Sequence, residues 1–296
     1  MGRNLNVLDV MNDNDPYGSI THGTGHFIKY FATYLKNARM FGINGYVKTR
    51  TGVSLQGYGR SSYPYDANRK IPGMGVDGQG DQNGIAYIHM GGREGQFTNS
   101  HFISVDEWRR ETDAVLVWPH DVNTTVAFNN PNTVFYQAGY GYKHPDKDGY
   151  NANTLNPDLS FKIMSYLLKD GPFTSGTPIN YQGITFYNDS TCSGVNENQL
   201  PDGAVSVMNH TKGNNASILV IDPKNRLVYI GDGQLFHSDG NISEAGSRYT
   251  ESVPPSSDKD KFLGNLLAYI VNAAQYGSHF TDIFIDDTVA YPFPED

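Results

Sequence analysis

The chain has 296 residues, 22 Lys and Arg against 31 Asp and Glu, a net charge of -9 and a single cysteine. A chain of that length can bury a core unaided by disulfides, and lone Cys192 excludes an internal disulfide or a multi-cysteine zinc site. The acidic balance, with no basic run, excludes an electropositive surface for nucleic acid.

Taken in order, Asn4 to Val10 predicts a strand, ended by Asn12-Asp13-Asn14-Asp15-Pro16. Phe27, Phe31, Tyr34, Ala38 and Phe41 then mark one face of a helix, with Thr24 as its cap and Gly42 as its stop. Gly45 to Lys48 predicts the next strand, so the opening reads as the first unit of an α/β sheet. From Thr51 to Ser100 glycines crowd the chain, and only Ile85 to Met90 looks like a strand, which predicts an irregular excursion on the sheet's rim. Val105 to Glu111 predicts a short helix. The AVLVW run in Asp113 to Trp118 is a buried parallel strand by type.

Thr133 to Gln137 predicts another strand, and Tyr140-Gly141-Tyr142 opens a second polar excursion that runs to Asn156. Asn156-Pro157-Asp158 starts a helix over Leu159 to Leu168, closed by Gly171. Ile184 to Tyr187 and Ala204 to Met208 predict strands. Ile218 to Ile221 and Leu227 to Ile230 flank Pro223-Lys224-Asn225 and predict a hairpin. The clearest periodicity follows: Phe262, Leu266, Ile270 and Ala273 recur at three- and four-residue steps, with Ser257 and Asp260 as a capping box and Gly277 as the stop. Asp282 to Asp287 predicts an edge strand before the proline-bearing tail. The whole predicts a single α/β domain over residues 1–296, mostly parallel and flavodoxin-like, with helices on both faces and loop-rich insertions at about 51–100 and 139–157.

Two stretches carry a resemblance. The strand, His-bearing glycine loop and helix of Val7 to Phe41, and NRLVYIGDGQLF with DKFLGNLLAYIVNA in Asn225 to Ala273, together resemble the class I glutamine amidotransferase-like superfold, in its ThuA-like branch. Together they span about a third of the chain. The resemblance implies an amidotransferase-like sheet. It departs at the nucleophile: Cys192, in Ser190-Thr191-Cys192-Ser193-Gly194, has no following helix to form the strand-to-helix elbow, so the family's thiol chemistry is not implied.

Candidate cleft residues are His22 and His26, around the glycine loop, and Asp232, His237 and Asp239, just past a strand end where open α/β sheets keep their ligands. His22 and His26 are four apart, yet Gly23 and Gly25 put His22 ahead of the helix and no third ligand follows, so no metal site is expected and no catalytic residue is assigned. Gly231-Asp232-Gly233 also reads as a tight turn whose Asp caps backbone amides. Acidic loops such as DVMNDNDPYG and HPDKDGYNAN lack the spacing of a calcium loop, and Asx-turns explain them. The five Asn-x-Ser/Thr sequons, at Asn123, Asn188, Asn209, Asn215 and Asn241, match what chance gives in a chain rich in Asn and Thr.

The sequence therefore predicts a non-catalytic interaction protein without cofactor, its partners being other subunits of an assembly or copies of itself, with a bacteriophage particle as the leading setting and the cytoplasm as the alternative. Met1-Gly2-Arg3-Asn4 has no apolar h-region and no apolar run nears the ~20 residues of a bilayer span, so neither signal peptide nor membrane insertion is expected. Two other readings stay open. One is a hydrolase of sugar or amide substrates built on the cleft residues; the other is a carbohydrate-binding domain using Trp118, Tyr140 and Tyr142.

Overall fold

The computed structural model describes residues 4–9, 34–35, 37–50, 52–57, 85–90, 114–119, 125–144, 151–184, 186–188, 193–210, 214–231 and 255–289. Five strands form a parallel half: β1 (Asn4–Asp9), β4 (Ser54–Gly57), β5 (Ile85–Met90), β6 (Val115–Pro119) and β13 (Leu227–Ile230). They lie in the order β4-β1-β5-β6-β13, each parallel to its neighbour. The short strands β2 (Phe41–Gly42) and β3 (Val47–Lys48) pair with each other in a separate parallel ribbon.

The sheet then continues with the opposite sense. Beyond β13 come β12 (Ala216–Asp222), β11 (Val205–His210), β8 (Asn151–Leu155) and β9 (Phe186–Asn188), every pairing antiparallel. Two further short strands, β7 (Tyr142–Lys143) and β10 (Gly194–Asn196), join through β12, giving an eleven-stranded mixed sheet. Among the described residues six of its ten pairings are antiparallel, so the expectation of a mostly parallel, flavodoxin-like sheet is not met there. The physical source is the hairpin itself: a four-residue turn, Pro223 to Arg226, is too short for a crossover and returns the chain antiparallel.

Period-two alternation sends side chains to both faces. Val115 and Val117 of β6, with Val228 and Ile230 of β13, belong to one core; Leu116 and Trp118, with Leu227 and Tyr229, belong to another. Over the first core lies the Asp258–Tyr276 helix, packed on β1, β5 and β6. The sequence pattern predicts one apolar face, but 16 of its 19 residues are buried, Lys259, Asn265, Asn272 and Gln275 among them, which marks a helix enclosed on all sides. Its start is as predicted, with Ser257 Oγ accepting from the Asp260 amide at 3.1 Å. The second core is aromatic and capped by two short helices, Val126–Asn129 and Val134–Ala138. Phe128 and Phe135 meet Tyr229 edge-on at 5.9 Å each, and Phe135 meets Trp118 at 5.7 Å.

Several local expectations are corrected. Thr133 to Gln137 is not a strand: Thr133 caps the Val134–Ala138 helix by accepting from Tyr136 N, and Gly139 ends it at φ 82°. The first helix does not reach Phe41, because Asn37 closes a turn with Arg39 N and the chain enters β2. Asp158 folds back on Ser160, so the next helix starts at Lys162 and widens into a π turn over Tyr166–Asp170. Asp282 to Asp287 holds a 3-10 turn over Asp282–Phe284 rather than an edge strand. Ile85 to Met90 is a strand as expected, while β4 in 51–100 and β7 and β8 in 139–157 are sheet strands where irregular chain was expected.

Candidate functional site

Because the five parallel strands share one direction, Gly57, Asp9, Met90, Pro119 and Ile230 end on one edge of the sheet. Numbered along the chain, these strands run 2-1-3-4-5, so strand order reverses between β1 and β5, the kind of crevice where open α/β sheets take ligands. The segment bearing His22 and His26 leaves this edge after β1, and the one bearing Asp232, His237 and Asp239 leaves it after β13. All five candidate residues lie outside the described residues. Their departure points are separated by β5 and β6, three interstrand steps or about 14 Å.

At the end of β13 the edge is partly closed. Gly231 N donates to Ile218 O at 2.7 Å, and Ser193 N donates to Gly231 O at 2.9 Å. From there β10 takes over the lane beside β12 that β13 has left, pairing Val195 with Ser217, and β7 pairs with β10. A side chain at 231 has no room, since a Cβ there would sit 2.0 Å from Ser193 O. Beneath the junction the hydroxyls of Ser193 and Tyr229, both without solvent exposure, are 2.5 Å apart. Cys192, the residue before Ser193, lies outside the described residues.

No family model, curated protein or solved structure matches the chain.

The opposite end of the sheet carries a buried polar cluster that sequence reading missed. Asp222 has no exposure; its Oδ2 accepts from Tyr140 Oη at 2.6 Å and Asn225 Nδ2 at 2.7 Å, and its Oδ1 from Asn225 N at 2.9 Å. Arg226, at φ 53°, turns its guanidinium to Ala273 O at 3.0 Å. Burial, reinforced by the Asp222 carboxylate, pushes the Tyr140 phenol well above its usual range, and Tyr269 is raised for the same reasons against a small opposing pull from Arg226. The cluster pins the turn of the hairpin to the long helix and the Tyr140 loop. The only advance signal was Asp222 followed by Pro223-Lys224-Asn225, an Asx-turn pattern.

A third polar group sits in the antiparallel half. Ser206 Oγ lies 2.8 Å from Glu197 Oε1 and 2.7 Å from Ser217 Oγ, with Asn209 also in reach. Ser206 Oγ is the donor toward these acceptors, and Ser217 Oγ donates in turn to the backbone carbonyls of Leu219, at 3.1 Å, and Met208, at 3.2 Å. That chain ties β11 to β12 and to the 3-10 turn Glu197–Gln199 that follows β10. Among the described residues no group of three His, Cys, Asp or Glu is placed to hold a metal ion. The aromatic residues singled out for glycan contact are not on the surface: Trp118 and Tyr140 are buried, at 1 % and 5 % exposure, and Tyr142 is half-buried. These three therefore form no row of exposed rings.

Proposed function

We propose that the chain is a non-catalytic interaction protein, a subunit of a large assembly, with a bacteriophage particle as the setting its Gly- and Tyr-rich, charge-poor composition suits and the cytoplasm as the alternative. The observation that carries the reading is where polar chemistry is engaged. Asp222, Asn265, Ser206 and Ser217 are each held by bonds that brace the scaffold, while Ile43, Tyr46 and Tyr136 stand more than half exposed on its outside. An amidotransferase-like scaffold is the finer form of the proposal. It rests on the two sequence stretches that carry the resemblance, and the antiparallel half of the sheet weighs against it.

A second reading, a hydrolase of sugar or amide substrates, is favoured by one observation: Asp9 and Ile230, the strand ends that precede the sequence stretches bearing His22 and His26 and bearing Asp232, His237 and Asp239, share one sheet edge, and Ser193, which follows Cys192, bonds to Gly231 there. Size-exclusion chromatography with light scattering over a concentration series separates the two. The interaction reading expects a mass that rises above the 32.7 kDa of one chain. A strict monomer at every concentration contradicts it, and turnover of an amide or glycoside by that monomer puts the second reading in its place.

A further inference from the structure

A concavity of about 660 Å³ opens beside the β2–β3 ribbon, within the size range of small-ligand sites. The loop that forms it is braced by its own backbone: Tyr46 N donates to Arg39 O at 3.1 Å, Val47 N to Met40 O at 2.8 Å, and Gly45 N and Thr49 N to Gly42 O at 3.0 Å each. At Gly45 a Cβ would lie 2.7 Å from Gly42 N, so the loop closes this tightly only with glycine. Tyr46 is 52 % exposed, and its ring rests on Phe173 at 5.7 Å, which in turn meets buried Phe41 at 6.3 Å. An exposed aromatic ring is thus seated on a column of rings and holds its orientation.

The lining has a charge unlike that of the chain. Arg39 and Asn44 are exposed at the concavity, and among the described residues no acidic residue lines it and no hydrogen bond or ion pair engages the Arg39 guanidinium. In a chain of net charge -9 this is a local positive site beside an apolar platform. We propose that it binds an acidic sugar. The guanidinium takes the carboxylate in a two-pronged contact, the Tyr46 ring takes the C–H face of the pyranose, and the Asn44 carboxamide, a donor and an acceptor, takes hydroxyls. A saccharide fits better than an acidic peptide because the one rigid platform is flat and its surroundings offer both donors and acceptors. The inference does not depend on self-association of the chain.

Calorimetric titration of the full chain with an oligogalacturonate, against a neutral maltooligosaccharide and an acidic peptide, tests it. Binding of the oligogalacturonate alone is expected, weakened at least about tenfold by Arg39→Ala and by Tyr46→Ala, and retained by Tyr46→Phe, which keeps the platform. Both side chains are exposed, and unchanged near-ultraviolet dichroism verifies the fold of each variant. Absence of oligogalacturonate binding, equal binding by wild type and both alanine variants, equal binding of the neutral sugar, or tighter binding of the peptide overturns the proposal.

Discussion

Asp222 is a carboxylate without solvent exposure, and it stays there because three donors face it. Tyr140→Phe removes one while Asn225 keeps its two, so a loss of about 1–3 kcal/mol in urea unfolding is expected. The pH dependence follows from the sign of the shift. Burial raises the Tyr140 pKa, so the neutral phenol is the form the fold favours. Its contribution is complete below the unfolded tyrosine value of about 10 and is lost as pH climbs through the folded value. Urea midpoints should fall above pH ~10 more steeply for wild type than for Tyr140→Phe, with Tyr269 leaving a residual slope in both. Parallel slopes would show that Tyr140 does not titrate as placed. Asn265 gives a second test. It accepts from Phe173 N at 3.0 Å and donates to Leu167 O at 2.9 Å and to Thr174 Oγ1 at 3.2 Å, all buried, so Asn265→Ala should cost about 2–4 kcal/mol by the same measurement.

Among elements, the ones legible in sequence are those whose signals are local and agree with each other. The Asp258–Tyr276 helix has its cap, its period and its stop within one window, and the hairpin has two β-branched runs around a Pro-Lys-Asn turn. Ser257→Ala should lower thermal stability by about 1 kcal/mol, as loss of a capping hydroxyl does. Thr133 to Gln137 misled because Val, Phe and Tyr favour strands on average, whereas here a threonine cap and Gly139 decide for helix. The strands β4, β7 and β10 have two to four residues each and take their conformation from neighbours far along the chain, which no window of sequence reveals. Gly231 belongs with them: its need for glycine arises from Ser193, 38 positions earlier. Gly231→Ala should lower the urea midpoint clearly, whereas Gly52→Ala, where an added Cβ meets nothing within 4 Å, should not.

For the molecule, the sequence supports the parallel half but not its continuation, because a strand's sense depends on the connection that precedes it as much as on its residues. The AVLVW run sits between two parallel neighbours, as its type predicts; ASILVID, equally apolar, pairs antiparallel on both sides. The strand ends that precede the candidate cleft residues, Asp9 and Ile230, share one edge of the sheet. What separates an interaction scaffold from an enzyme at that edge is the state of the sole thiol. The most direct measurement is the alkylation rate of Cys192 by iodoacetamide in the native chain as a function of pH. A rate that rises with a midpoint near ~8.5, as for an ordinary thiol, is the predicted result; a rate already at its plateau by pH ~6 would reveal an activated thiolate and contradict the non-catalytic account.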